Sequence, residues 1–222
     1  AYIGKQRGNA STSDFSALGI ADTVKAACTI AKFTAEDEFS GLPDEALMFR
    51  GELLELDLYH PWSLTVEEAI EVAKRCEAAA LAVDKRITNS EGASVSTQES
   101  SFIYANSQGF INGYPGSRHD IGASVIAEQN DAMQRDYWYT TARDYHDLES
   151  AESVGKRTGE RAIARLNAKK IGTQQVPVLF EAPIASGLIG SFVNAVSGGS
   201  LYRKSSFLLD SLGKPIFSPN VQ

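Results

Sequence analysis

Residues 87–141 constrain the fold most strongly, because strand-like runs recur there at short intervals with polar turns between them. Phe102-Ile103-Tyr104 is followed by the turn signal Asn106-Ser107-Gln108-Gly109, and Phe110 to Tyr114 then gives way to Pro115-Gly116. Ser124 to Glu128 and Met133 to Thr141 are separated by Gln129-Asn130-Asp131, a further turn candidate. In the last run Met133, Tyr137, Tyr139 and Thr141 share one face. Several strands joined by short polar turns predict an antiparallel sheet.

Amphipathic helices flank this region. Ser16 can cap a helix from Ala17 to about Phe33, with Ile20, Val24, Ala27, Cys28 and Ala31 on one apolar face. Thr65 and Glu68 have capping-box spacing before a narrow small-residue stripe of Val66, Ala69, Ala73, Cys76, Ala80 and Val83, suited to close packing. A third helix is expected from about Ala151 to Asn167, with basic residues towards its C-terminal end, where they complement the helix dipole. An apolar strand at Val176 to Phe180 and a small-residue helix at Ala185 to Val196 follow. Runs of helix and strand that do not alternate strictly indicate α+β: a largely antiparallel sheet with packed amphipathic helices.

The net charge of −7 argues against a general affinity for nucleic acid. Much of the acidity lies between Thr34 and Asp57, where eight carboxylates face only Arg50. A solvated surface excursion accounts for that segment, with a docking site for a basic peptide or partner as the other reading. No signal peptide is recognisable and no apolar run approaches the roughly 20 residues needed to span a bilayer, so a cytoplasmic setting is expected. Cys28 and Cys76 both fall on apolar helical stripes and are expected to be buried, reduced thiols.

Residues 197–214 carry the most specific pattern. Ser197-Gly198-Gly199-Ser200-Leu201-Tyr202-Arg203-Lys204-Ser205-Ser206 follows the strand and helix just named and leads to Phe207-Leu208-Leu209-Asp210-Ser211-Leu212-Gly213-Lys214. This strand-helix-glycine-basic-hydroxyl order resembles the PmbA (TldE) branch of the TldD/PmbA peptidase family, across essentially all of the chain. The resemblance implies the same α+β class. It also implies that these residues are an internal part of a longer protein, divided as 1–60 (end of an N-terminal domain and the acidic excursion), 61–172 (central α+β domain) and 173–222 (start of a C-terminal domain). In the TldD-like branch the helix carries His-Glu-x-x-x-His, whose imidazoles bind zinc. Here Ile189, Gly190 and Asn194 fall near those positions, and no His or Glu occurs between Gly187 and Gly199. The expectation is no metal site and no catalytic residue in this chain, with zinc supplied by a TldD-like partner.

Other chemistries find little support. The histidines His60, His119 and His146 lack the spacing to share a helical turn, and surface or hydrogen-bonded roles compete with a meeting at a metal. Gly-x-Ser-x-Gly is absent, and the two Ser-x-x-Lys copies at Ser153 and Ser211 lack companion motifs. No phosphate-binding glycine pattern occurs. Gly198-Gly199 with Arg203 and Lys204 leaves two readings: a contact holding a carboxylate, an acidic peptide or a partner, or a tight turn bearing two solvated charges. Phe102, Tyr104, Tyr114, Tyr137, Trp138 and Tyr139 either line a peptide groove or form ordinary core and cross-strand pairs.

Three functions follow for testing. The resemblance implies a non-metal-binding subunit of a cytoplasmic, oligomeric metallopeptidase that handles small unfolded polypeptides beside a TldD-like subunit, away from membranes and nucleic acid. The alternatives are an independent peptidase whose site lies outside these residues and a regulatory binding protein of gyrase-modulator type.

Overall fold

The computed structural model describes residues 1–219, and they divide into two compact units, Ala1–Ala168 and Lys169 onward. Asn220-Val221-Gln222, where the sequence pattern ends after a strand or turn, lies outside the described residues.

The first unit opens with a two-residue-per-strand hairpin, β1 (Tyr2–Ile3) and β2 (Gln6–Arg7), followed by α1 (Ala17–Ala31). The Ser16 hydroxyl caps α1 by accepting from the Gly19 N–H. Ala27 and Ala31 are buried, whereas Ile20 and Val24 on the same face stay exposed. Residues 34–57 run mostly as exposed loop, with a 3-10 turn at Glu45–Leu47 held by the Asp44 carboxylate on the Ala46 N–H.

α2 (Val66–Leu81) starts with both halves of the capping box in place. The Glu68 N–H donates to the Thr65 hydroxyl at 3.2 Å and the Thr65 N–H donates back to the Glu68 carboxylate at 2.9 Å. β3 (Ile87–Ala105), β4 (Ile111–Gln129) and β5 (Ala132–Ala142) form an antiparallel sheet in the order β3-β4-β5. Asn130 and Asp131 both take positive φ (53° and 61°) in the two-residue turn between β4 and β5, whose twist matches that of the strands. α3 (Ala151–Ala164) follows, capped by Ser150.

α2 and α3 cover one face of the sheet. Alternate β4 residues Ile121, Ala123, Val125 and Ala127 point under them and are buried, joined by Cys76 and Ala80 of α2 and Val154 and Ala162 of α3. The other face is open and carries Met133, Tyr137, Tyr139 and Thr141, as the alternation predicts.

β4 does not break at Pro115-Gly116, contrary to expectation. It runs through both residues because Pro115 pairs with Ser101 on the β3 side only; β5 ends at Ala142, opposite His119. Proline has no N–H to offer a ladder, and here its outer side has no strand to serve. Beyond that point β3 and β4 continue as a two-stranded arm ending at the turn Asn106–Gly109, where the Asn106 side chain accepts from the Gln108 and Phe110 N–H groups.

The second unit contains α4 (Ala182–Ala195) and α5 (Gly198–Tyr202). Two expectations fail here. Val176 to Phe180 is not a strand: an apolar run forms a strand only with a ladder partner, and no neighbouring strand pairs with it among the described residues. Gly198 and Gly199 are not a tight turn but open α5, after Ser197. Among the described residues, no helix is long and apolar enough to cross a membrane.

Candidate functional site

α4 is the element on which the metal question turns. Pro183 in its first turn suits a position whose N–H needs no intrahelical partner, so the helix begins at Ala182, earlier than the expected Ala185. Its side chains from Ala182 to Ala195 include no imidazole, thiolate or carboxylate, and Ile189 and Gly190 can donate nothing to a metal. A zinc site needs several nitrogen, sulfur or carboxylate donors converging, so α4 does not fit zinc. Among the described residues no three His, Cys, Asp or Glu side chains are grouped to hold a metal ion.

Arg203 caps the C-terminus of α5, its N–H donating to the Gly199 carbonyl at 3.2 Å, and its guanidinium folds back over Gly199. Lys204 follows in the left-handed region at φ 55°, and both side chains are exposed. The Ser205 N–H and hydroxyl both donate to the Ser200 carbonyl, so this hydroxyl serves the local turn.

The three histidines converge in the first unit, which their spacing did not reveal. His119 is fully buried; Nε2 lies 2.8 Å from the His60 carbonyl and Nδ1 lies 2.9 Å from the Thr97 hydroxyl. The carbonyl requires a donor, so Nε2 carries a proton, and Nδ1 shares a hydrogen bond with the Thr97 hydroxyl. Trp62 meets the His119 ring edge-on at 5.6 Å and stacks on Tyr145 at 5.3 Å. Outside this box Asp144 lies between the other two imidazoles, 2.8 Å from His146 Nδ1 and 3.6 Å from His60 Nδ1. The His146 backbone N–H and imidazole, with His60 farther off, hold the Asp144 carboxyl below its ordinary range. With both ring nitrogens of His119 committed to protein atoms, the cluster is a polar clamp joining residues 57–62 to β4 and to 144–146.

The aromatics divide by location. Trp138 packs under α3, with the Arg157 guanidinium 3.8 Å from its ring centroid and its indole N–H donating to Glu149. Tyr137 and Tyr139 stack on the open face. Phe102, Tyr104 and Tyr114 gather on the β3–β4 arm, where Phe102 and Tyr114 face each other across the strands at 5.6 Å and Tyr104 meets Phe110 at 5.9 Å. Together with Phe49, Leu53, Leu54 and Leu56 they wall a groove of about 540 Å³. The loop half of that wall lies in the acidic excursion, whose charge pattern leaves open a solvated surface or a docking site.

Cys76 is fully buried, and burial, with Glu152 and Glu77 adding to it, pushes its thiol up to about 11. Cys28 is only half-buried, because the α1 face around it is incompletely covered.

Known proteins share this architecture. Residues 59–166 match the PmbA/TldA metallopeptidase central domain and residues 173–222 match the PmbA/TldA metallopeptidase C-terminal domain. The metalloprotease PmbA of Escherichia coli O157:H7 is 45% identical over 97% of this chain and 48% of its own length. The chain thus spans about half the length of the curated relatives it matches. A crystal structure from Bacteroides thetaiotaomicron, described as a modulator of DNA gyrase, superposes with a TM-score of 0.87 at 26% identity over 98% of this chain and 50% of that one. TldE from Thermococcus kodakarensis shares the fold with a TM-score of 0.64 at 15% identity, over 93% of this chain and 46% of its own.

Proposed function

The chain belongs to the PmbA/TldD metallopeptidase family, and on that premise we propose that it is part of a PmbA/TldE-type subunit that works without a metal site of its own. In this reading a TldD-type partner supplies the zinc. The two act in the cytoplasm on small unfolded polypeptides, and this chain contributes wall and contact surface. Residues 1–60 would close an N-terminal domain, 61–172 form the central domain and 173–222 begin the C-terminal one.

The observation that carries the proposal is α4, whose side chains from Ala182 to Ala195 include no imidazole, thiolate or carboxylate; Ile189, Gly190 and Asn194 fall near the positions where the resemblance implies the His-Glu-x-x-x-His of the TldD branch. Arg203 and Lys204 support a contact role: both are exposed at the C-terminal end of α5, the short helix that follows α4, and no carboxylate pairs with either among the described residues. Two adjacent exposed cations near a glycine-lined backbone suit a carboxylate on a peptide or a partner.

The test uses the full-length protein, alone and mixed with a TldD-type partner, with elemental analysis for zinc and cleavage of a disordered peptide as readouts. Alone, the protein is expected to hold far less than stoichiometric zinc and to cleave nothing; the mixture should cleave. Stoichiometric zinc after dialysis, together with cleavage by the isolated protein, would overturn the proposal.

A further inference from the structure

We propose that the groove between residues 49–56 and the β3–β4 arm receives an extended polypeptide segment bearing bulky apolar side chains flanked by lysine or arginine. The inference rests on the polypeptide-handling reading above and names the class of segment this surface takes.

Three features of the groove carry it. The first is unspent apolar surface. Phe102 is 55% exposed, Tyr114 48%, Leu53 59% and Leu54 81%, all facing one groove of about 540 Å³. Apolar side chains left in water gain free energy when covered, and a concave cluster of this kind marks a binding surface. The arm that carries half of them continues past the end of β5, and these side chains stay exposed rather than joining the core under α2 and α3.

The second is charge. The loop forming the outer wall belongs to a segment with eight carboxylates and one arginine. That arginine, Arg50, is engaged with Glu45 at 3.2 Å. Glu52 lines the groove itself. A carboxylate beside an apolar floor, in a segment with an excess of carboxylates, favours a cation at the margin of whatever enters. It also disfavours two other occupants. A symmetric contact with a second copy would bring the same acidic loop against its twin, and a membrane with anionic lipids would repel it.

The third concerns how the occupant is held. β4's outer edge beside the groove offers little for strand addition. Pro115 has no N–H, the Gly113 N–H is taken by the Asn112 side chain, and the Ser117 N–H donates to the Leu58 carbonyl at 2.9 Å. With β4's edge engaged in this way, recognition on that side of the arm falls to side chains: apolar anchors in the aromatic floor and an ammonium or guanidinium group on Glu52.

The experiment measures binding, so its failure is separable from failure of the zinc and cleavage test. Full-length protein is titrated into a fluorescein-labelled peptide with Leu and Phe at its centre and Lys at both ends, at low and high salt, by anisotropy. A matched peptide has Glu in place of every Lys. The Lys-flanked peptide is expected to bind saturably, more weakly at high salt, and the Glu-flanked one to bind at least about tenfold more weakly. Leu54→Asp and Phe102→Ala should each weaken the Lys-flanked peptide by about tenfold, and Glu52→Lys should remove the preference for Lys over Glu. Leu54 is 81% exposed, so Leu54→Asp should melt like the parent and keeps the test valid if Phe102→Ala folds poorly. No saturable binding, equal binding of both peptides, or binding indifferent to Leu54→Asp would overturn the proposal. A change of sedimentation on Leu54→Asp without a change in peptide binding would also overturn it, pointing instead to a second copy.

Discussion

The carbonyl oxygen of Cys76 fills the space that a β-carbon at Gly155 would need. One helical turn on, the Ala80 carbonyl and the Val83 side chain do the same at Gly159. α3 therefore lies on α2 backbone to backbone, and the small-residue stripe of α2 is the matching surface. Gly155→Ala should destabilise the protein by about 1–3 kcal/mol, the usual cost of forcing atoms into a filled interface. Gly187→Ala on α4 meets nothing within 4 Å and should be neutral or stabilising. Urea unfolding midpoints distinguish the two; equal effects would contradict the packing described.

Cys76 sits in that same interface and its chemistry should report it. With the thiol pushed up to about 11, its thiolate at neutral pH is far scarcer than that of an ordinary cysteine, and a reagent must also reach it. Iodoacetamide should label half-buried Cys28 much faster than Cys76 in the native state, with both equal in denaturant. The stability consequence has a definite sign. Unfolding lets Cys76 ionise near its ordinary 9.0, while the folded thiol holds its proton to about 11. Between those values the unfolded state binds fewer protons, so this contribution to stability is intact below about 9 and is lost as pH rises towards about 11. Cys76→Ala should flatten that part of the stability profile.

What could be read from the sequence was local. The Thr65–Glu68 box and the Asn130-Asp131 turn each depend on groups a few residues apart, and they appear where their chemistry puts them. The alternation in β5 likewise told which residues share a face, though not that the face is open. The Val176 to Phe180 run misled because apolar side chains suit a strand but do not provide the strand beside it. The histidine clamp and the groove were illegible for a different reason. His119 meets a carbonyl at His60, and Phe102 and Tyr114 come to flank a loop at 49–56, through contacts set by strand register and by the path of a loop, neither of which has a short-range sequence mark.

The His119 clamp predicts a purely structural phenotype. His119→Phe preserves ring volume against Trp62 but leaves the His60 carbonyl and the Thr97 hydroxyl without their partner, which should cost about 1–3 kcal/mol. His119→Ala adds a cavity and should cost about 3 kcal/mol or more. His146, whose side chain is 69% exposed, should tolerate Ala within about 0.5 kcal/mol. Thermal melts give the ranking, and metal content should be the same in all three variants. A variant that altered metal content without altering stability would refute the clamp.

Arg203 and Lys204 should separate contact from folding. Both are exposed at the end of α5 and neither is held in an ion pair among the described residues, so their charges contribute little to stability, within about 0.5 kcal/mol. A partner or peptide carboxylate that displaces water from two adjacent cations gains charge-assisted hydrogen bonds, which are lost together when both side chains are cut back. The double variant Arg203→Ala, Lys204→Ala in the full-length protein should therefore melt like the parent. Its affinity for a TldD-type partner, or the KM of the mixed assembly for a disordered peptide, should weaken several-fold. The weakening should shrink as salt rises, because screening removes from the parent what the substitution removes from the variant. Unchanged partner affinity and unchanged KM at low salt would return these two residues to ordinary solvated charges on a helix end.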